Sequence, residues 1–330
     1  MTRFLVLGSN SFSGATFCDH VARAGHEVIA TSRSPEPHEA FLPYRWGPQR
    51  AAVRFAKIDI NHDLDALDAL LAREKPTHVV NFAAQSMVGE SWRHPEHWMM
   101  TNAVSTTLLF ERLRRHEGLA RYVHVTTPEV YGSTDGWVRE DAPFNPTTPY
   151  AVSRAAGDMQ LRIVVAQYGF PAVSTRAANV YGPGQQTYRI IPRTILSAMA
   201  GRKLQLHGGG VSIRSFIHMQ DVSAATLAIA LDGKVGETYH ISTDRMVSIR
   251  ALVEMIIAGL GKDFDQCVDV APERPGKDQA YMLDSSKLRR EMGWADRVTL
   301  EQGIAECVAW ADRYRDHLLA MPSWDYEHKP

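Results

Sequence analysis

Tyr150 and Arg154 stand four residues apart in a stretch whose pattern predicts a helix, so phenol and guanidinium share one face. A cation beside a tyrosine favours phenolate and makes it a usable base near neutral pH. Upstream, Thr126-Thr127-Pro128-Glu129-Val130-Tyr131-Gly132 follows an apolar run and brings a hydroxyl and a carboxylate close together. On their own these residues also fit a packed core tyrosine with an exposed arginine, and a glutamate that caps a turn or pairs with a cation.

A second constellation opens the chain. Gly8-Ser9-Asn10-Ser11-Phe12-Ser13-Gly14 lies between an apolar run and a predicted helix. In that context small residues let the main chain approach a pyrophosphate, and the helix N-terminus supplies unpaired N–H groups. Gly8, Asn10, Ser11, Phe12 and Gly14 are therefore candidate cofactor contacts, with Ser11 where a dinucleotide fingerprint has its middle glycine. The end of the second predicted strand carries Ser32-Arg33 rather than an acidic residue. A carboxylate there would accept from a ribose 2′-hydroxyl, whereas hydroxyl and guanidinium suit a 2′-phosphate, which predicts NADP over NAD. Asp59 and Ile60, ending the third strand, are placed beside the adenine by position alone.

The elements that must hold these groups follow from periodicity. Strands are predicted at Phe4–Leu7, His26–Thr31, Val53–Ile58, His78–Ala84, Tyr122–Thr127 and Val173–Arg176. Helices are predicted over Gly14–Ala24, after Asn61 or Asp63, over His94–His116 and over Tyr150–Tyr168. Repeated βαβ order gives an α/β fold, a doubly wound parallel Rossmann sheet with a smaller mixed C-terminal substrate-binding domain. The division expected is residues 1–176, with returning segments about 212–242 and 280–292, for the nucleotide-binding domain. The second domain takes about 177–211, 243–279 and 293–330, with helices near Ile249–Leu260 and Leu300–Tyr314 and a mobile tail over 321–330.

Composition narrows the function. The 330 residues hold 36 basic and 37 acidic side chains, so bulk charge gives no reason to expect nucleic acid or anionic membrane as a partner. Cys18, Cys267 and Cys307 are odd in number and far apart, which fits idle thiols in a reducing cytoplasm rather than disulfides or zinc. His94, His97, His116, His124, His207 and His218 lack metal-ligand spacing, so no metal is expected. No apolar run approaches the roughly 20 residues of a membrane span. The first eight residues read as a buried strand rather than a signal peptide, and a cytoplasmic location is expected.

Over nearly its whole length the chain resembles the extended short-chain dehydrogenase/reductases, and within them the nucleotide-sugar 4,6-dehydratases. The matching segments begin with the glycine loop, Asn81-Phe-Ala-Ala-Gln-Ser86, Asn102, Thr127-Pro-Glu-Val-Tyr-Gly132 and Tyr150. Arg176-Ala-Ala-Asn179-Val-Tyr-Gly-Pro183, Arg214-Ser-Phe-Ile-His218 with Asp221, Arg274-Pro-Gly-Lys-Asp278 and Asp284–Trp294 continue the match. The Ala-Ala-Gln-Ser stretch is similar to the GDP-mannose branch, and the Arg-Pro-Gly-x-Asp loop to the dTDP-glucose and CDP-glucose branches.

The resemblance implies roles. Tyr150 would take the proton of the sugar 4-hydroxyl, Thr127 would bond the same oxygen, and Glu129 would remove the C5 proton before water leaves C6. Phe82, Ala83, Ala84, Asn102, Tyr150 and Arg154 would contact the cofactor. Gln85, Ser86 and Glu90 would line the sugar pocket. Asn179, Arg214 and Arg274 would hold the diphosphate, and Arg189, within 185–195, would shape the nucleotide end. A homodimer through the helices at 94–116 and 150–168 is implied, with Ile163, Val164 and Val165 at the contact.

Two positions depart from the pattern. Pro128 replaces the aspartate of the dTDP-glucose branch and cannot donate a proton. Either Glu129 serves C6 as well, or a water or another side chain does. Arg154 replaces a lysine that binds the nicotinamide ribose, and its planar head is not equivalent. Two other readings share the scaffold: a UDP-glucuronate decarboxylase or sugar 4-epimerase, and a catalytically silent NADP-binding protein. Product mass separates the enzymes.

Overall fold

The computed structural model describes residues 2–134, 136–272 and 282–329. Seven parallel strands build the central sheet: β1 (Arg3–Leu7), β2 (Glu27–Ser32), β3 (Val53–Lys57), β4 (His78–Asn81), β5 (Arg121–Thr126), β6 (Ala172–Ala177) and β7 (Thr238–Ile241). Their spatial order is β7-β6-β5-β4-β1-β2-β3, so the winding reverses between β1 and β4. In-register pairing of Leu7 with both Thr31 and Asn81 brings three strand ends together at that reversal. A crevice opens there in doubly wound sheets.

The sheet is buried on both faces, which is why β1 reads as an unbroken apolar run. Phe4 and Val6 join a core with Phe17, Val21, Val28 and Val80. Leu5 and Leu7 join the opposite core with Ile29, Leu67, Val79 and Leu109, as the period of two requires. A third core of Ile191, Ile195, Leu252, Ile256, Ile304 and Trp310 holds the smaller C-terminal layer. That layer carries short mixed strands, among them Asn179–Tyr181 paired with Ile213–His218.

Predicted boundaries shift in informative places. The strand expected over 78–84 ends at Asn81, and residues 82–84 continue as extended chain along the crevice. The helix expected over 94–116 is broken into Pro95–Met99, a π-helical segment Met100–Ser105, and Thr106–Leu113. Residues 321–329, expected as a mobile tail, pack instead: Trp324 is only 6% exposed, and its indole N–H donates to the Leu318 carbonyl at 2.8 Å. No helix among the described residues is long and apolar enough to cross a membrane.

Candidate active site

The glycine loop forms the floor of the crevice. Gly8 has φ +80°, and a side chain there would strike the Ala83 amide at 2.5 Å; one on Gly14 would strike the Gly8 carbonyl at 2.4 Å. Ser11 caps the helix Phe12–Arg23: its Oγ accepts from the Gly14 amide at 3.1 Å and donates to the Gly8 carbonyl at 2.7 Å. The serine in the place of the middle glycine therefore braces the turn. Phe12 lies in the core beneath it.

Above the loop is a cavity of about 310 Å³. Gly8, Asn10, Ser11, Ser32, Arg33, Asp59, Ile60, Phe82, Ala83 and Ala84 line it as expected, together with Gln85, Asn61, Thr101 and Gln186. Gln85 thus faces this cavity rather than a separate sugar pocket. Asn102 is not on the wall. Its Oδ1 accepts from the Gln85 amide at 2.9 Å, and its Nδ2 donates to the Gln85 carbonyl at 2.9 Å and to Ser153 Oγ at 3.0 Å. Ser153 Oγ in turn donates to the Tyr150 carbonyl at 2.7 Å. One buried amide, set in the π-helical segment, clamps the cavity wall to the start of the tyrosine helix.

That helix, Pro149–Tyr168, starts at Thr148, whose Oγ1 accepts from the Ala151 amide at 3.1 Å, with proline at its first position. Tyr150 is 8% exposed. Burial raises its pKa, the charges of Arg154 and Arg189 and a hydrogen bond with Thr127 oppose the rise, and the Glu129 charge adds to it. The helix places the cation as expected, yet desolvation outweighs it, so the phenol is not predisposed to ionise by Arg154 alone. Thr127 caps the turn Pro128–Tyr131, its Oγ1 accepting from the Glu129 amide at 3.2 Å.

Arg154 is 3% exposed; its Nη2 donates to the Val125 carbonyl of β5, and its Nε has no hydrogen-bond partner. Next to it lies a buried network that residue patterns alone scarcely show. Arg176 Nη2 lies 2.6 Å from Asp158 Oδ2, and Nη1 donates to the Tyr131 hydroxyl at 3.0 Å. The other Asp158 oxygen lies 3.3 Å from His124 Nε2. Burial works to raise the Asp158 pKa, but Arg176, His124 and Arg154 overcome it and hold the carboxylate well below its ordinary range. The one available signal was spacing: Asp158 follows Arg154 by four on the Tyr150 face.

The remaining expected residues are more dispersed. Arg189 holds the N-cap position of the helix Ile190–Met199 without a side-chain cap bond, and its charge acts on Tyr150. Asn179 Nδ2 donates to the Ser215 carbonyl at 3.2 Å, tying two strands. Arg214 lies on Ile213–His218, opposite Val247. Ser86 is exposed, and Glu90 is held by Arg93 at 3.3 Å. Arg274 lies outside the described residues. One grouping went unforeseen: His94, Glu96 and His97 bring one ligand atom each within 4.8 Å of one another.

The family model for GDP-mannose 4,6 dehydratase matches residues 5–307. A dTDP-glucose 4,6-dehydratase of Streptomyces niveus is 36% identical over 265 residues, covering 80% of this chain and 76% of that protein. The chain belongs to the nucleotide-sugar 4,6-dehydratases of the extended short-chain dehydrogenase/reductase type. The solved dTDP-glucose 4,6-dehydratase DesIV of Streptomyces venezuelae, with NAD and TYD bound, superposes on this dehydratase with a TM-score of 0.85 at 32% identity, covering 96% and 98% of the two chains. A trifunctional UDP-glucose 4,6-dehydratase/3,5-epimerase/reductase of Arabidopsis thaliana is 34% identical over 265 residues, and this dehydratase spans only 39% of its length.

The residue types around the cavity suit a nicotinamide dinucleotide. Its floor admits no side chain at Gly8, its wall carries Arg33, and Asn10 keeps a buried Oδ1 without a partner.

Proposed function

We propose that this dehydratase turns a nucleoside-diphosphate hexose into its 4-keto-6-deoxy sugar nucleotide, with Tyr150, Thr127 and Glu129 handling the protons. What carries this is the buried Tyr150, hydrogen-bonded with Thr127 and within electrostatic reach of Arg154, Glu129 and Arg189, on a helix that Asn102 clamps to the cavity wall. When bound, the dinucleotide supplies hydride acceptance early in the cycle and hydride return at its end. Tyr150 takes the proton of the sugar 4-hydroxyl as C4 becomes a ketone, and Thr127 bonds the same oxygen. The ketone acidifies the C5–H. Glu129, as carboxylate, removes that proton and, now a carboxylic acid, delivers it to the departing C6 hydroxyl, which leaves as water; when hydride returns to C6, a solvent proton carried by Glu129 restores the C5–H, and Tyr150 releases to solvent the proton it took from the 4-hydroxyl. Pro128, buried at the head of its turn, has no proton to give. Arg154 and Arg189 favour the phenolate that burial resists.

Ser32 and Arg33 at the end of β2 favour NADP over NAD. Gln85 serves the cofactor cavity that it lines, Ser86 and Glu90 are assigned to the sugar, and Asn179, Arg214 and Arg274 to the diphosphate, by the family resemblance. Residues 177–211, 243–279 and 293–330 form the sugar-nucleotide part, and the remainder the NADP part. A homodimer is supported by the exposed row Met99, Met100, Val104 and Leu108 beside Val152, Met159 and Ile163. Val164 and Val165 face inward, so Ile163 alone of that trio serves the contact. Among the named relatives dTDP-glucose and UDP-glucose recur, so these lead the substrate panel.

The test is incubation with dTDP-, UDP-, GDP- and CDP-hexoses, each with NADP and with NAD, followed by mass of the sugar nucleotide. Loss of one water from one member supports the proposal and names the base. Loss of carbon dioxide from a glucuronate, or an unchanged mass with altered stereochemistry, refutes it.

A further inference from the structure

The packed segment 324–329 reaches the cofactor cavity. The Lys329 carbonyl accepts from Gln85 Nε2 at 2.7 Å and from Arg33 Nη2 at 2.9 Å, two groups on the cavity wall, and Lys329 itself completes that wall. The segment is carried there by a chain of contacts. Trp324 is buried, and its carbonyl accepts from Thr187 Oγ1 at 3.3 Å. The Tyr326 ring sits 5.3 Å from that of Tyr188, edge to face. The His328 ring stacks on His94, His97 and Trp98 at 5.1–5.3 Å, with His97 Nδ1 2.8 Å from His328 Nε2. With the segment in place the cavity holds about 310 Å³, near the lower bound of about 300 Å³ for small-molecule sites and short for a ligand two nucleotides long.

We propose that residues 325–329 form an internal plug of the cofactor site, which a dinucleotide phosphate displaces when it enters. The inference rests on the cavity being the dinucleotide site. A neutral main-chain carbonyl now takes the Arg33 and Gln85 hydrogen bonds; a phosphate oxygen at the same guanidinium makes the stronger, charge-assisted bond. The imidazole stack holds the plug from outside the cavity, where it is rim-exposed and releasable. Trp324 remains as the anchor about which the released residues swing. The plug lowers the apparent cofactor affinity by the fraction of molecules that are plugged.

The test is hydrogen exchange of the full-length chain, freed of any copurified nucleotide, before and after saturation with NADP. The plug predicts that amides of 325–329 exchange several-fold faster on loading while those of 8–14 slow. Slowing or no change at 325–329, with protection at 8–14, overturns the plug in favour of a strap or an inert contact. No protection at 8–14 overturns the cofactor assignment itself, and the plug with it. As a second readout, His328→Ala loosens the outer hold and tightens Kd for NADP about three- to tenfold. An unchanged or weaker Kd contradicts the proposal.

Discussion

At the cofactor end of the crevice the structure relies on main chain and small residues: Gly8 and Gly14 admit the close turn, Ser11 braces it, and short strand ends meet above it. At the catalytic end it relies on buried charge. Tyr150 stands over Arg154, and Arg154 over the pair formed by Arg176 and Asp158, with His124 on the second Asp158 oxygen. Outside Gly8 and Gly14, that main-chain geometry survives single substitutions, because few of its interactions depend on one side chain. A buried ion pair does not, since removing one partner strands the other without water. The comparison teaches that chemistry and stability share residues at one end of the site and are separable at the other.

Tyr150→Phe removes the proton acceptor and lowers kcat by about 10²- to 10⁴-fold, read as the rate of sugar-nucleotide conversion, with thermal stability little changed. Asp158→Asn leaves Arg176 and Arg154 uncompensated and costs about 3–5 kcal/mol in urea unfolding. A loss under 1 kcal/mol would show that the network is not what holds the catalytic end.

Acid should destabilise the fold through two buried imidazoles. His240, bonded to the Tyr131 hydroxyl at 2.8 Å, is held at about 3, mainly by burial and also by Arg176. Burial likewise lowers His218 to about 4. Both rings are neutral in the folded chain but bind protons below about pH 6.5 when unfolded. Their contribution is therefore complete above that pH and is lost as pH falls toward 4. Each adds a slope of ~1.4 kcal/mol per pH unit, measurable as the urea midpoint against pH. The smallest effect belongs to the other end: Ser11→Ala, which removes one cap, should cost about 1 kcal/mol.

Much of this was legible in the sequence, for reasons that the same contrast explains. The glycine loop, the strands and the Tyr150–Arg154 spacing are local patterns, and local patterns survive in one dimension. The π-helical segment at Met100–Ser105 escaped because one extra residue per turn barely alters a helical period. The Tyr150 environment was half legible: spacing showed its cation, but its burial depends on packing from residues far along the chain. The segment 321–329 was misjudged because its polar, proline-bearing composition hides partners remote in sequence, Thr187 and Tyr188 for its middle and Gln85 and His97 for its end. Asn102 was found at the right place with a different task, since its amide spans wall and helix rather than reaching into the cavity.

The most direct test concerns Glu129, which separates elimination from simple oxidation and reduction at C4. Glu129→Gln keeps the shape and removes the base. With the sugar nucleotide that the panel selects, a rapid-quench experiment should find the variant stalled at the 4-keto hexose nucleotide with its C6 oxygen retained. The wild-type chain should pass to the dehydrated product. Loss of water at the wild-type rate from the variant would contradict the assignment of both proton transfers to this carboxylate.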